Sequence, residues 1–254
     1  EPNPPVFHSL DLHLPDETVA LIGPNGAGKT LLGECLAGVR LPHAGQVQHH
    51  VPVANLSQHA AEHLTPDTVA AFLGVESALA ALDRLLSGAG QVDDLSLLNE
   101  RWTLKEDLIE ELIRFDLPAD CLLVPMSSLS GGQRTRLHLL RLSRIRDAFL
   151  ILDEPSNHLD QAGRRWLSKW LSQRPGGALV ITHDQTLLQS FGRLLELRDG
   201  ALQWHGQGFA AYLQTREQLL EKARHDQQHA RQTIKKEQQQ QQTEKERHEQ
   251  RVQK

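Results

Sequence analysis

The chain has 254 residues, 39% of them hydrophobic and 23% charged, which is enough to bury a substantial core in one large domain or two small ones. Its 27 basic and 32 acidic residues give a formal charge of −5, which excludes a wholly basic nucleic-acid coat but leaves room for a local basic surface. The only cysteines, Cys35 and Cys121, lie far apart in no metal-ligand spacing, so they indicate neither a disulfide framework nor a zinc ribbon and suit a reducing cytosol.

At the N-terminus, Glu1-Pro2-Asn3-Pro4-Pro5 lacks the charged and apolar regions of a signal peptide. Val19 to Ile22 is a short apolar run with strand character, and it enters Gly23-Pro24-Asn25-Gly26-Ala27-Gly28-Lys29-Thr30. That octapeptide fits G-x-x-x-x-G-K-[ST] in the context the pattern needs, after a strand and before a helix expected over Leu31 to Leu36. Val51 to Leu56 reads as a second strand. The segment from about His59 to Met126 holds little strand signal and is expected to form a helical insert, with one helix over Thr103 to Phe115.

Within that insert, His59-Ala60-Ala61-Glu62-His63 matches the H-x-x-E-H pattern of zinc hydrolases. Leu64-Thr65-Pro66 follows instead of a long apolar helix, and no third ligand is identifiable, so the stretch reads as a solvated loop. Leu129-Ser130-Gly131-Gly132-Gln133 then opens a helix expected over Gln133 to Ile145 with a glycine-rich, hydroxyl-bearing N-terminus, a second potential anion site. Phe149 to Asp153 is an apolar strand that ends in two carboxylates, Asp153 and Glu154; the Pro155 that follows also allows them to be the acidic start of a helix. A helix over Ala162 to Leu171 carries Trp166 and Trp170 at i and i+4, one packing face. Ala178 to Thr182 is a further strand, and Leu194 to Leu197 and Ala201 to Trp204 flank the hairpin signal Asp199-Gly200.

From Phe209 onward, Phe209, Leu213, Leu219, Leu220, Ala223, Ala230 and Ile234 recur at roughly helical spacing, after which no aliphatic residue appears until Val252. Residues 214 to 254 hold ten Lys or Arg against seven Asp or Glu. The chain lacks an initiator Met and stops inside a Gln-, Glu- and Lys-rich run at Lys254, as expected of a piece excised from a longer protein. No stretch approaches the roughly 18 to 20 apolar residues that span a bilayer, so membrane insertion is not expected.

Strands alternating with helices point to a mostly parallel α/β sheet. At the phosphate loop, glycines let successive N–H groups curl around an anion, the helix N-terminus adds partial positive charge, Lys29 reaches the terminal phosphates and the Thr30 hydroxyl coordinates Mg²⁺. The expected anion is a nucleoside triphosphate. At the end of a neighbouring parallel strand, Asp153 is placed to hold Mg²⁺ through water and Glu154 to polarise an attacking water, the division of labour hydrolysis needs.

Gly23 to Thr30, Leu129 to Gln133, Leu150 to Glu154 and the histidine His183 of "VITHD", in that order, resemble an ATP-binding cassette (ABC) ATPase over nearly all of residues 6 to 208. The resemblance implies ATP and Mg as cofactors and a cassette over residues 1–208, with an antiparallel β edge and a helical subdomain over about 59–146. It implies that Gln58 senses Mg²⁺ and the attacking water, that His183 lies near the γ-phosphate, and that Ser130, Gly131 and Gly132 complete the ATP site of a second cassette. The aromatic residue that stacks on adenine in the family is expected upstream of the region containing "PVFHSLDLHL", and Phe7 is a poor substitute for it.

Ser156-Asn157-His158-Leu159-Asp160 is similar to the "TNHLD" of the ABC-F proteins, with Ser in place of the usual Thr, and residues 209–254 resemble the start of their interdomain linker helix. That resemblance implies a cytoplasmic cassette acting on the ribosome and its RNA, paired with a second cassette of the same protein or with another copy. A transporter nucleotide-binding subunit and a DNA-repair type cassette are the alternatives.

Overall fold

The computed structural model describes residues 6–7, 10–57, 68–222, 224–225 and 227. Contacts divide the chain into two compact units, Glu1–Gly206 and Gln207–Lys254.

The first unit is built on one six-stranded sheet. Its strands are β1 (Thr18–Ile22), β2 (Val53–Leu56), β3 (Phe149–Asp153), β4 (Ala178–Ile181), β5 (Leu194–Arg198) and β6 (Ala201–His205), in the spatial order β2-β3-β4-β1-β5-β6. The first five run parallel, and β6 returns antiparallel to β5 across Asp199 and Gly200, whose φ of 50° and 75° suit a tight two-residue hairpin. The near-continuous apolar runs of β1, β3 and β4 are explained by cover on both faces: Val19, Leu21, Ile151, Leu179 and Ile181 share one core cluster on one face, and Ala20, Leu150, Leu152 and Val180 on the other are equally buried.

Register decides where the strands stop. Ile181 of β4 pairs with Leu21 of β1 on one side and with Asp153 of β3 on the other. The carboxyl ends of three strands therefore lie level at one edge of the sheet, where open α/β sheets place ligands.

Helix α1 (Lys29–Leu36) leaves this edge directly after β1 and lies on the sheet. Gly33 permits that approach, because a Cβ there would come 2.8 Å from the Ile181 side chain. The insert is helical among the described residues: α2 (Val69–Phe72), α3 (Glu76–Leu86), α4 (Val92–Leu98), α5 (Leu104–Arg114), two short 3-10 turns, and α6 (Gly131–Ser143). Helices α7 (Gln161–Gln173) and α8 (Gln185–Leu188) follow β3 and β4. On α7, Trp166 and Trp170 stack with ring centroids 6.1 Å apart and meet Phe115 at 5.5 and 5.7 Å, so their spacing serves packing.

Several ends differ from the sequence reading, each for a local reason. Strand β2 begins at Val53 rather than Val51, since Pro52 has no N–H to donate to the ladder, although its carbonyl accepts from the Phe149 N–H at 2.8 Å. Strand β4 ends at Ile181 rather than Thr182, whose hydroxyl accepts the Asp184 N–H at 3.1 Å and turns the chain. Helix α6 starts two residues early because Ser130 caps it reciprocally with Gln133.

In the second unit residues 208–222 are helical, with the Phe209 and Tyr212 rings stacked at 6.1 Å and Arg216 donating to the Tyr212 hydroxyl at 3.3 Å. Most of the basic C-terminal run lies outside the described residues.

Candidate functional site

The phosphate-loop sequence forms a tight arch between β1 and α1. Gly23 must be glycine because a Cβ there would fall on the Leu197 carbonyl oxygen, and Gly28, at φ 94°, caps α1 where a Cβ would meet the Val6 and Phe7 side chains at 2.7 to 2.8 Å. The same glycine thus lets the loop bend and lets the N-terminal segment lie against it.

Lys29 opens α1 and is only 7% exposed. Its Nζ donates to the carbonyl oxygens of Gly23 and Pro24, each at 2.9 Å, so the ammonium is folded back across the mouth of its own loop. Burial lowers the Lys29 pKa, and the nearby Glu154 and Asp153 carboxylates oppose that shift.

Those carboxylates arrive from the end of β3. Asp153 is 5% exposed, and Glu154, at φ 49°, donates its N–H to the Ile181 carbonyl at 2.8 Å. This bond carries the β3–β4 ladder one residue past the strand and fixes where the Glu154 side chain emerges. Thr182 Oγ1 donates to Glu154 Oε2 at 3.4 Å, and His183 Nε2 lies 3.8 Å from Oε1. Burial raises the Glu154 pKa and Asp153 adds to the rise, against the His183 N–H, the Thr182 hydroxyl and Lys29. Burial and Lys29 lower the His183 pKa, opposed by Asp153, so the imidazole is neutral at pH 7 and the 3.8 Å approach is not an ion pair.

These groups border one open cavity of about 780 Å³. It is lined by the phosphate loop and the start of α1 (Asn25, Gly26, Gly28, Lys29, Thr30, Leu31 and Glu34), by Arg40 beyond that helix, and by Asp153, Glu154, Asn157, Ile181 and His183 at and after the ends of β3 and β4. Most of the residues singled out from sequence thus meet in one place. Ser130, Gly131 and Gly132 do not border this cavity; they cap and open α6, where a Cβ on either glycine would come within 3.0 Å of His158. Gln58 and the H-x-x-E-H stretch lie outside the described residues, although Ser57 borders a small recess shared with Asp153 and Glu154.

Thr182, Glu34 and Arg40 were not singled out by sequence reasoning, and Asn157 entered it only as part of the Ser156–Asp160 motif, with no place at this cavity. Thr182 had a signal, as the hydroxyl residue between a strand and the histidine; Glu34 and Arg40, an ordinary helical acid and a loop base, had none.

A family described as ABC transporter matches residues 7–157. The chain is similar to the energy-dependent translational throttle protein EttA of Escherichia coli K12, at 30% identity over 88% of this chain and 44% of that protein. It is similar to ABC transporter F family member 2 of Arabidopsis thaliana, at 31% identity over 73% of this chain and 25% of that one. Against the uncharacterized ABC transporter ATP-binding protein YfmR of Bacillus subtilis it is 30% identical over 83% of this chain and 37% of the relative. The chain spans less than half the length of each of these relatives. Among solved structures, a dimeric ATP-binding cassette in a post-hydrolysis state with ADP and Pi matches with a TM-score of 0.59 and 20% identity, over 80% of this chain and 92% of that one, which establishes a shared fold.

The electrostatic coupling is testable. Replacing Lys29 by Met removes a cation that lowers the pKa of both Glu154 and His183, so both pKa values should rise, whereas Lys29→Arg should leave both close to the parent. Side-chain NMR titration reads this directly. An unchanged His183 titration in Lys29→Met would show that the ammonium does not face the imidazole.

Proposed function

The chain belongs to the ABC transporter family as one of its ATPase cassettes, and on that premise we propose that the cavity at the start of α1 binds MgATP and hydrolyses its terminal phosphate bond. The supporting observation is the shared register of β1, β4 and β3 at Ile181, which brings the lysine loop, the paired carboxylates and His183 to the same cavity.

In this reading the N–H groups of Gly26 to Thr30 and the positive end of α1 hold the β- and γ-phosphates. Lys29 exchanges two neutral carbonyl partners for charged phosphate oxygens, which are stronger acceptors. Glu154 takes the proton of the attacking water. Its raised pKa makes it a stronger base than a solvated glutamate, and the nearby Lys29 charge opposes that rise. His183, neutral, is positioned beside Glu154 to hydrogen-bond the γ-phosphate.

The donor set also fits a magnesium ion: the Thr30 hydroxyl and the Asp153 carboxylate are hard oxygen groups bordering one cavity, the first to bind directly and the second through water, with Gln58 proposed to join them. When bound, Mg²⁺ would neutralise charge on the phosphate oxygens. Ser130, Gly131 and Gly132 are assigned to the nucleotide of a second cassette, because they lie on this chain outside the cavity that holds Lys29. The cassette is taken to be residues 1–208, and residues 209–254 the start of a linker.

Translation is the proposed setting, in the cytoplasm. EttA is named as a translational throttle, and the sequences Ser156 to Asp160 and 209–254 resemble those of ABC-F proteins. Among the described residues no helix is long and apolar enough to cross a membrane. Lys235, Lys236, Lys245, Arg247 and Arg251 suit RNA phosphates, which predicts binding that weakens with salt.

Two measurements test the reading. Lys29→Ala should weaken MgATP binding about tenfold or more by calorimetry, while Glu154→Gln should keep binding and lose about 10² to 10⁴ in turnover; undiminished binding in the first, or undiminished hydrolysis in the second, contradicts the assigned roles. The complete protein carrying Glu154→Gln should cosediment with ribosomes in ATP, less as salt rises, and charge reversal at the five basic positions should reduce it. Cosedimentation that is absent in ATP would favour the transporter or repair alternatives.

A further inference from the structure

The cavity continues past the phosphate loop along the first turns of α1. Leu31 and Glu34, at i and i+3, lie on the face of α1 that borders it. After the helix ends, the chain turns back so that Arg40 borders the same space. Arg40 Nε donates to Glu34 Oε2 at 2.9 Å, and the Arg40 N–H reaches the Glu34 carbonyl at 3.2 Å. No part of the proposed hydrolysis uses these three residues.

Their position on the helix limits what they can meet. Glu154 and His183 follow the ends of β3 and β4, and Leu31 and Glu34 lie further along α1 than Lys29, so a triphosphate whose terminal phosphate faces the first pair can direct its nucleoside along the helix toward the second. Glu34 is five residues beyond Lys29, about 7.5 Å along the helix axis at 1.5 Å per residue. That distance suits the sugar, which directly follows the α-phosphate, better than the far edge of a base. An ionised carboxylate can only accept hydrogen bonds, and a ribose offers two hydroxyl donors whatever base it carries. Arg40 occupies Oε2, and Oε1 has no hydrogen-bond donor among the described residues. Leu31, one turn nearer the loop, offers an apolar contact for the carbon face of the ring.

The ion pair itself contributes little stability, with the Arg40 side chain 59% and the Glu34 side chain 29% exposed. What it provides is geometry: Arg40 takes Oε2, which leaves Oε1 as the carboxylate oxygen able to accept from a ligand.

Resting on the nucleotide reading above, we infer that Glu34, oriented by Arg40, accepts a hydrogen bond from a ribose hydroxyl and is the residue by which this site recognises the sugar of its nucleotide. Leu31 and Arg40 then act as positioning residues for the sugar and for Glu34.

The test measures calorimetric affinities of MgATP, 2′-deoxy-ATP, 3′-deoxy-ATP and GTP for the parent chain, Glu34→Ala, Glu34→Gln and Arg40→Ala. The parent should favour ATP over at least one deoxy analogue by roughly five- to tenfold, a modest factor because the carboxylate is partly exposed and water competes. Glu34→Ala should bring ATP down to the level of that analogue while leaving the analogue's own affinity unchanged, a result a misfolded variant could not give. Glu34→Gln, whose amide oxygen still accepts, should keep part of the preference, and Arg40→Ala should reduce it.

Equal binding of ATP and both deoxy analogues by the parent overturns the inference but leaves the nucleotide reading intact, as does a preference that survives Glu34→Ala. A change in the ATP-to-GTP ratio on Glu34→Ala, with the sugar preference untouched, would assign Glu34 to the base and also overturn it. No binding of any nucleotide by the parent would instead defeat the nucleotide reading itself.

Discussion

The site depends on one alignment in the sheet: Ile181, at the centre of three parallel strands, pairs with Leu21 and with Asp153. A slip by one residue would turn every side chain of a strand to the opposite face, so that side chains shaped for one packed layer would meet the other. Here the same constraint levels three strand ends. The chain then needs only one to two residues beyond each end to deliver Gly23, Glu154 and His183, and the N–H of Glu154 to the Ile181 carbonyl locks the shortest of these extensions.

Three close-approach glycines and one left-handed glutamate sit around this edge, while other left-handed residues such as Asn99, Asp116 and Asp199 lie in turns elsewhere. Gly23 avoids the Leu197 carbonyl, Gly28 admits Val6 and Phe7, Gly33 lets α1 settle on Ile181, and Glu154 holds a left-handed backbone despite its Cβ. Positive φ at a non-glycine residue costs of order 1 kcal/mol or more, so the surrounding ladder must over-determine it. The electrostatics have the same origin: burial pushes Lys29 and Glu154 each toward its neutral form, and their proximity pushes both back toward the charged one. A site poised in this way responds strongly to a bound polyanion.

Local chemistry was legible in the sequence, and approaches between distant segments were not. The phosphate loop, the carboxylates after an apolar strand and the Asp199-Gly200 hairpin are carried by neighbouring residues, and the structure forms each where its pattern lies. Strand and helix ends moved by one or two residues where a proline lacked a donor or a side chain capped the backbone, effects that periodicity does not register. The contact of His158 with Gly131 and Gly132, and the return of Arg40 to Glu34, depend on how loops close in space. Trp166 and Trp170 show that a pattern can be found while its partner cannot: their spacing gave the face, but Phe115, about fifty residues earlier, is what they meet.

The most direct test of the account is an amide NMR titration of the chain with a slowly hydrolysed MgATP analogue. The account predicts that Gly23 to Thr30, Glu154 and His183 shift together, along one saturation curve, because one ligand spans all three strand ends. Shifts confined to other surfaces, or a phosphate-loop response with Glu154 and His183 unmoved, would contradict a single site built on the register at Ile181.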